Sequence, residues 1–478
     1  MTLLTDFKDK QILVLGAGIT GLSCARLLAS ECLSFAVNDS RSMPFNNDYS
    51  VEQFKQALPM ASLYLGYWNS ELIAKADVIL ISPGIDSTIA EIAPFIKPDC
   101  QIIGDIELFC QINNQRINPI SILAVTGSNG KSTVVSLLAY LAQCLGVNAQ
   151  LGGNIGQPVL DVFTALNHAE SATLPELLIL ELSSFQLETL TSMRAIATTV
   201  LNVSDDHLDR HQNMANYRTI KQSIYKQGKL AITNRDDKST NTPNTTQPVL
   251  SFGSDVPKSK QFGVAVFGNE VALAFGSQSL IGLAQLPLAG MHNALNYLAA
   301  LALGYSAGWS LTAMVENLQG FIGLAHRCQR IATSDNITWI NDSKATNVGA
   351  TIAAINGLVQ TFSVKDKNKA KQKLILIAGG DGKGADFSPL KQPLTDHVSH
   401  VITLGKDGDI ISDLAQYAIK VSSLKEAVAA AKSIANVGDI VLLSPACASL
   451  DMFKNFAQRG DYFSEAVKQL TETNDDNT

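Results

Sequence analysis

The sequence has no long basic stretch, no CxxC pair, no uninterrupted apolar run of membrane-spanning length and no internal repeat. Each absence narrows the function. A nucleic-acid-binding face concentrates Lys and Arg, and a net charge of −7 over 478 residues offers no such patch. The seven cysteines are scattered, and an odd, dispersed set fits reduced thiols in a cytosol. Cys24 and Cys144 read as core-facing helix residues, and Cys447 as a packing residue. The most apolar stretch, Leu286 to Trp309, is broken by His292, Asn293 and Asn296, so it reads as a buried helix. No charged-then-apolar leader opens the chain, and the expectation is a cytoplasmic protein.

What is present is material for several cores. Hydrophobic residues make up 46% and charged residues 17%, and the length predicts two to four domains. The pattern divides into three α/β systems. The first has the strand QILVL (11–15), then GAGITG, a helix over LSCARLLASEC, the strand SFAVND and the strand-plus-turn DVILISPG (77–84). The second opens with the strand ILAVTG and the helix STVVSLLAYLAQCLG, with Gly146 near its C-cap, and contains the continuous apolar strand LLILEL (177–182). Residues 234–260 are polar and predict a solvated loop leading to a small set of β segments, and 291–304 predict a helix. The third starts after about 323, with strands ITWIND, KLILIAGG, HVITLG and DIVLLSP. The Lys-rich segment 365–373 reads as an exposed loop and TETNDDNT as a frayed tail.

The sharpest motif is TGSNGKST (126–133), between an apolar strand and a helix. Glycines let the backbone approach phosphates, and the helix adds its positive end. Lys131 supplies a point charge for the β- and γ-phosphates, and Ser132 a hydroxyl for Mg²⁺. The first Gly of the general phosphate-loop pattern is replaced by Val125. Glu181 ends the buried strand of ELSSFQLE, where a carboxylate suits Mg²⁺ or an oriented water. In DDHLDRH (205–211), His207 is open to two readings, a metal or anion ligand or an ordinary loop histidine. Lys221, on YRTIKQSIYKQGK, taken alone is a surface lysine. GAGITG (16–21) with Asp39 after the next strand matches a diphosphate fingerprint, which an NAD-type cofactor and a UDP-sugar satisfy equally. In the third system WINDSKATN, GGDGKGADF and LLSPACASLDMFKNFAQRGDYF each follow a strand. Three polar loops with Lys and Thr at strand ends predict one cleft for an acidic small molecule.

Together, TGSNGKST, ELSSFQLE, DHLDRH, GMHNALN, GLAHR, DSKATN and SPACASLDMFKNF resemble the Mur ligase family, in the family's order and over essentially the whole chain. DSKATN and SPACASLDMFKNF, with no DNPR motif, point to the member that adds D-glutamate to UDP-N-acetylmuramoyl-L-alanine. The resemblance implies an α/β fold of three domains. These are a UDP-binding Rossmann-like domain (1–117), a central phosphate-loop ATPase-type parallel sheet with a small β extension (118–323), and a Rossmann-like amino-acid-binding domain (324–478). It implies that the acceptor's UDP part is held by Gly18, Ile19, Thr20, Asp39, Ser40, Arg41, Ser82, Pro83 and Gly84, with Asn154 facing the acceptor and metal. ATP would be held by Gly127, Ser128, Asn129, Gly130, Lys131, Ser132, Thr133, Asn296, Arg327 and Asp342. Two Mg²⁺ ions would be held by Ser132, Glu181, His207 and Lys221, the last carbamylated. D-glutamate would fall to Thr346, Lys383, Ser449, Leu450 and Phe456. Lys131, His207 and Lys221 carry the catalytic expectation. Ala325 stands where GLPHR has proline, and Cys328 follows Arg327; both predict altered loop stiffness only.

The chemistry so implied is formation of an acyl phosphate on the acceptor's carboxylate, followed by attack of the D-glutamate amine. Water exclusion predicts closure of the C-terminal domain. The expected partners are these small molecules, with no nucleic acid and no membrane, and a monomer. The rivals are another amide ligase of the superfamily, a nicotinamide-dependent oxidoreductase built on GAGITG, and a non-catalytic nucleotide-binding regulator.

Overall fold

The computed structural model describes residues 4–45, 50–166, 174–206, 208–243, 246–288, 290–362 and 373–472. His207, nearly all of the Lys-rich segment 365–373, and the tail beyond residue 472 lie outside the described residues. Three parallel or nearly parallel sheets and one small antiparallel sheet organise the chain.

In the first unit, short runs of Val, Ile and Leu make strands covered on both faces. Ile12–Leu15 and Val78–Ile81 are buried at every position. The spatial order is Ala61–Leu65, Phe35–Asp39, Ile12–Leu15, Val78–Ile81, Gln101–Ile103, all parallel. The chain winds to one side of Ile12–Leu15 and then to the other. That reversal opens a crevice beyond the strand's carboxyl end, where the loops after Leu15, Asp39 and Ile81 gather. The helix after GAGITG runs Ile19–Ser30, three residues earlier than its apolar period announces, because Gly18 caps it without a side chain.

The second unit repeats the arrangement with six parallel strands. Their order is Val249–Phe252, Gly228–Asn234, Ala195–Val200, Ser121–Thr126, Leu177–Glu181, Ala149–Gly153. Ser121–Thr126 is the reversal point, and Val125 pairs with Thr199 on one side and Glu181 on the other. Glu181 therefore stands level with the start of TGSNGKST. Helices Lys131–Cys144 and Met291–Ser306 pack together over one face. The second is the expected buried helix, with its residues from Asn296 to Gly304 all buried. It also meets the antiparallel sheet Phe262–Phe267, Glu270–Phe275, Gln278–Gly282.

Segment 234–260 is not simply a solvated loop. Val249–Phe252 extends the second sheet beside Gly228–Asn234, burying Leu250 and Phe252 while Val249 faces out. Arg235 then ties the end of this segment down, donating to Asp255 at 2.9 Å and Ser251 at 3.1 Å. Four strand residues among Asn, Thr and Asp are too few to show a period.

The third unit has the order Gln329–Ile331, Thr338–Asn341, Ile440–Leu443, Leu374–Gly379, His400–Leu404, Ala418–Lys420, with only the first strand antiparallel. Its crevice lies beyond Leu443, between strands ending at Asn341 and Gly379. Cys24 and Cys447 are buried, but Cys144, expected in the core, is exposed at the end of its helix. Among the described residues no helix is long and apolar enough to cross a membrane. The first two units are joined by Arg26 and Ser23, both 2.8 Å from Asp161, and by Glu107, which accepts from the N–H groups of Thr191 and Ser192 at 2.8 and 2.9 Å.

Candidate active site

The phosphate loop closes the second crevice. Gly130 has φ 84, and a Cβ there would strike the Asn296 side chain, so the turn that starts helix Lys131–Cys144 admits only glycine. The loop is tethered to the end of the neighbouring strand: Asn129 N–H donates to Asn202 Oδ1 at 2.8 Å, and Ser128 N–H to the Asn202 carbonyl at 2.9 Å. Lys131 Nζ donates to the carbonyls of Gly127 and Ser128 at 2.7 and 2.9 Å. Burial holds its pKa below that of an ordinary lysine, against the pull of Glu181 and Asp206.

Glu181 is 2% exposed. Its Oε1 accepts from Asn154 Nδ2 at 2.8 Å, while Oε2 is buried with no hydrogen-bond partner. Lys221 is not on the surface. It is 1% exposed, donates to the Gly127 carbonyl at 3.0 Å and lies 4.6 Å from the centre of the Tyr217 ring. Burial, then the charge of Lys131, push its pKa well below the usual lysine value. Tyr217 had no role assigned from sequence. Its hydroxyl is 3.2 Å from Ser128 Oγ, and its place four residues before Lys221 on helix Met214–Gln222 was the available signal.

Among the described residues no group of three or more His, Cys, Asp and Glu side chains is placed to hold a metal. The set left by sequence is Ser132, Glu181 and Lys221, with His207 outside the described residues. The orphaned Glu181 oxygen fits a divalent cation, since a buried carboxylate oxygen without a partner is costly. An unmodified amine at Lys221 does not fit, because it has no negative oxygen to offer.

The third unit reaches into the same place. Arg327 Nη2 donates to Ser132 Oγ at 2.7 Å across 195 residues of sequence, and burial lowers the pKa of its guanidinium. Asp342 accepts from Cys328 N–H at 3.2 Å and Ser444 Oγ at 2.9 Å, and burial pushes it up to about 7. A cavity of about 390 Å³ opens between the units, lined by Asn129, Gly130, Thr133, Asn296, Arg327 and Asp342 among others. Gly127, Ser128 and Ser132 belong to the same loop. A wider groove of about 1260 Å³ lies where the strands of the first sheet begin. It includes none of the predicted residues, and strand beginnings are the wrong end for ligands in open α/β sheets.

In the first crevice Gly16 has φ 95, and Ser82 Oγ fills the space a Cβ would need. Asp39 is 2% exposed with both oxygens engaged. Ala17 N–H donates to Oδ2 at 2.8 Å, and Arg41 reaches both oxygens, at 2.9 and 2.7 Å. Burial raises the carboxyl, but the Arg41 and backbone hydrogen bonds outweigh it and hold the pKa below the usual value. Gly18, Ile19, Thr20, Ser40, Arg41, Pro83 and Gly84 edge the crevice, exposed or half-buried. Ser82 Oγ is buried without a partner.

The three polar loops of the third unit do form one cluster. Asp381 and Ala448 exchange two backbone hydrogen bonds, at 3.0 and 2.8 Å. Arg459, unassigned from sequence, is buried beneath them and donates to Ser343 Oγ, the Ser343 carbonyl and the Cys447 carbonyl at 3.0, 2.8 and 3.1 Å. Thr346 and Phe456 are half-buried, Ser449 is buried, and Lys383 and Leu450 are exposed. Lys344, one of the lysines expected to suit an acidic small molecule, lies 3.8 Å from the centre of the Phe456 ring.

Three family models match the chain: Mur ligase MurD-like, N-terminal domain, over residues 10–104; Mur ligase middle domain, over 125–304; and Mur ligase, glutamate ligase domain, over 326–447. A UDP-N-acetylmuramoylalanine--D-glutamate ligase of Colwellia psychrerythraea is 59% identical over 98% of both chains. One of Shewanella violacea is 42% identical over 97% of both. Among solved structures, the MurF ligase of Thermotoga maritima in complex with ADP aligns with a TM-score of 0.60 at 15% identity, covering 92% of this chain and 96% of that one. The UDP-N-acetylmuramate-alanine ligase MurC of the same organism aligns at 0.56 and 18%, covering 95% and 98%. At these identities the structures support the fold alone.

Proposed function

The chain belongs to the Mur ligase family and is an ATP-dependent amide ligase, and from that premise we propose that it joins D-glutamate to UDP-N-acetylmuramoyl-L-alanine in cytoplasmic cell-wall precursor synthesis. The name carried by both sequence relatives supports the substrate pair. The observation that carries the chemistry is the second crevice, where Lys131 on the phosphate loop, an orphaned Glu181 oxygen and Arg327 from the next unit converge.

A carboxylate is a poor electrophile until its oxygen is made a good leaving group. Phosphoryl transfer from ATP to the acceptor's alanine carboxylate brings two anions together. Lys131, on the loop, and Arg327, bonded to its Ser132, are set to neutralise that charge. The amine of D-glutamate then attacks the acyl carbon and phosphate leaves. Thr346, Lys383, Ser449, Leu450 and Phe456 hold the amino acid in this reading, with Lys383 on its side-chain carboxylate. Gly18 to Thr20, Asp39 to Arg41 and Ser82 to Gly84 hold the UDP part, with Asn154 keeping Glu181 in place. Asn296, Arg327 and Asp342 hold the adenine, a phosphate and the ribose of ATP. Glu181, Ser132, His207 and Lys221 would hold Mg²⁺, which when bound shields the phosphates. Lys221 joins that set as a carbamate. Its depressed pKa supplies the neutral amine that adds to CO₂ with loss of a proton. An intact-mass or peptide-mass measurement on active enzyme finding only unmodified lysine at 221 would exclude this.

The domain limits 117 and 323, a monomeric state and closure of the third unit on the second belong to the same reading. A phosphate-release assay with the acceptor and a panel of D- and L-amino acids tests it. Release should depend on D-glutamate. Equal release with L-amino acids, or none, overturns the substrate assignment.

A further inference from the structure

Between the first two crevices runs a set of side chains that the mechanism above does not use. Asp86 lies two residues beyond Gly84, on the loop that follows Ser82. Its carboxylate is fixed by Thr88 N–H and Oγ1 at 2.8 and 2.6 Å and stands 3.4 Å from Arg210 Nη1. Arg210 belongs to DDHLDRH in the second unit. Its Nη2 donates to Glu188 Oε2 at 2.6 Å, its guanidinium lies 5.6 Å from the centre of the Phe185 ring, and its side chain is only 17% exposed. Glu188 and Phe185 sit on the short helix Ser184–Glu188, just past Glu181. A cavity of about 20 Å³ beneath the Ser82–Pro83 turn is lined by Asp105, Gln186, Glu188 and Arg210.

The path continues inward. Glu188 Oε1 is 3.4 Å from His211 Nδ1, and His211 Nε2 is 2.8 Å from Ser184 Oγ. The His211 ring lies 5.3 Å from both Phe185 and Tyr217. Tyr217 in turn touches Ser128 of the phosphate loop and carries Lys221 on its face. Every link is a direct contact.

We propose that Arg210 is a positioning residue that clamps the acceptor loop of the first unit to the phosphate-loop unit, so that acceptor and ATP bind cooperatively. This rests on the assignment of Ser82–Gly84 to the UDP-linked acceptor. The physical reason is that Asp86 and Glu188 are partly buried like charges from different units. One planar guanidinium serves both because its donors fan out in a fixed fork. Without it the two carboxylates repel: Asp86 already raises the pKa of Glu188, behind burial, and Arg210 opposes the rise. Linkage then requires the effect to be mutual, since whatever acceptor binding does to the nucleotide the nucleotide does to the acceptor. Contiguity alone does not prove coupling, so the test measures it.

The affinity for ADP is measured with and without acceptor, alongside steady-state kinetics, in wild type, Asp86→Asn, Arg210→Gln, Arg210→Lys and the Asp86→Asn/Arg210→Gln double variant. In wild type the acceptor should tighten ADP by about tenfold. In Arg210→Gln that ratio should fall to about one, with the acceptor KM up about tenfold and kcat within about threefold. Lysine should restore part of the ratio, having the charge without the fork. Asp86→Asn cuts only the first unit's arm and leaves the Arg210–Glu188 pair intact. It should lower the ratio less, and the double variant should be no worse than Arg210→Gln. A wild-type ratio of one, a ratio unchanged in Arg210→Gln and in Asp86→Asn, or a loss confined to kcat overturns the proposal. If wild type turns over no acceptor at all, the substrate assignment fails and takes this with it; if wild-type turnover is normal and the variants keep the wild-type ratio, only the clamp fails.

Discussion

The first and second crevices are built on one plan and finished in opposite ways. Each lies beyond the reversal strand of a parallel sheet, and each has a glycine turn running into a helix N-terminus with an acid on a neighbouring strand end. In the first, the acid is Asp39, and both its oxygens are satisfied by Ala17 and Arg41. In the second, the acid is Glu181, and one oxygen is left buried and alone, near two lysines whose pKa values burial depresses. A satisfied acid rigidifies a turn that receives a ligand. An unsatisfied one, among cations out of water, is poised for charge that arrives with substrate. Shared topology forms both crevices, and of the two only the second sets an orphaned acid beside buried lysines.

The comparison breaks most easily at Lys131. Lys131→Ala should lower kcat by about 10³-fold, in the range seen when one charge-stabilising donor is removed, with the melting temperature and acceptor affinity near wild type. Phosphate release at an undiminished rate would mean that the second crevice works as the first does, by backbone dipoles alone. Glu181→Gln should be next. It keeps the Asn154 contact and removes the charge, and kcat should fall about 10²-fold with a raised Mg²⁺ requirement in a metal titration. An unchanged requirement would make the orphaned oxygen a structural accident.

How much of this was legible follows from distance along the chain. The reversal strands Ile12–Leu15 and Ser121–Thr126, and Leu177–Glu181 beside the second, were readable because each has an apolar run, and because glycine turns follow the first two. Ala149–Gly153 was missed because its small residues and glycines carry no strand signal, and Val249–Phe252 because it is short and set in polar sequence. Lys131 and Glu181 announced themselves through local motifs. Arg459 could not, since its partner Ser343 lies 116 residues away, and only folding shows that it ties the loop after Asn341 to the loop after Leu443. Arg210 and His211 stood in a motif already singled out, but their partners on the Ser82–Asp86 loop and on Ser184–Glu188 emerged only from tertiary packing. Lys221 read as a surface residue because a helix exposing polar residues on most faces hides which one is inward.

A milder change lies in the first crevice. Asp39→Asn keeps one acceptor for Ala17 N–H but drops the ion pair to Arg41, which is itself 59% exposed. Acceptor KM should rise by about tenfold and kcat should hold, since the lost interaction is the same in ground and transition states. A matching fall in kcat would place Asp39 in the chemistry and erase the contrast with Glu181.

The smallest effect is the sharpest test of how the first unit handles charge. Asp105 is 4% exposed, at the start of the helix Asp105–Asn114, with Oδ1 buried and unpaired. Burial pushes its pKa up to about 6 from an ordinary 3.8, against the N–H of Ile106. Between those values the folded protein holds a proton that the unfolded chain has released. Stability from this group therefore falls as pH rises from about 4 to about 6 and stays lower above. Asp39 has the opposite sign: its lowered pKa contributes stability above the ordinary value, lost as the solution is acidified. Asp105→Asn removes the proton dependence while keeping the shape, at a cost or gain of at most about 3 kcal/mol. The melting temperature of the variant minus that of wild type should be more positive at pH 8 than at pH 5. A flat difference would mean that Asp105 is a solvated or hydrogen-bonded carboxylate in solution. Asp105 would then join Asp39 as a satisfied acid, and the orphaned Glu181 oxygen would set the second unit further apart from the first.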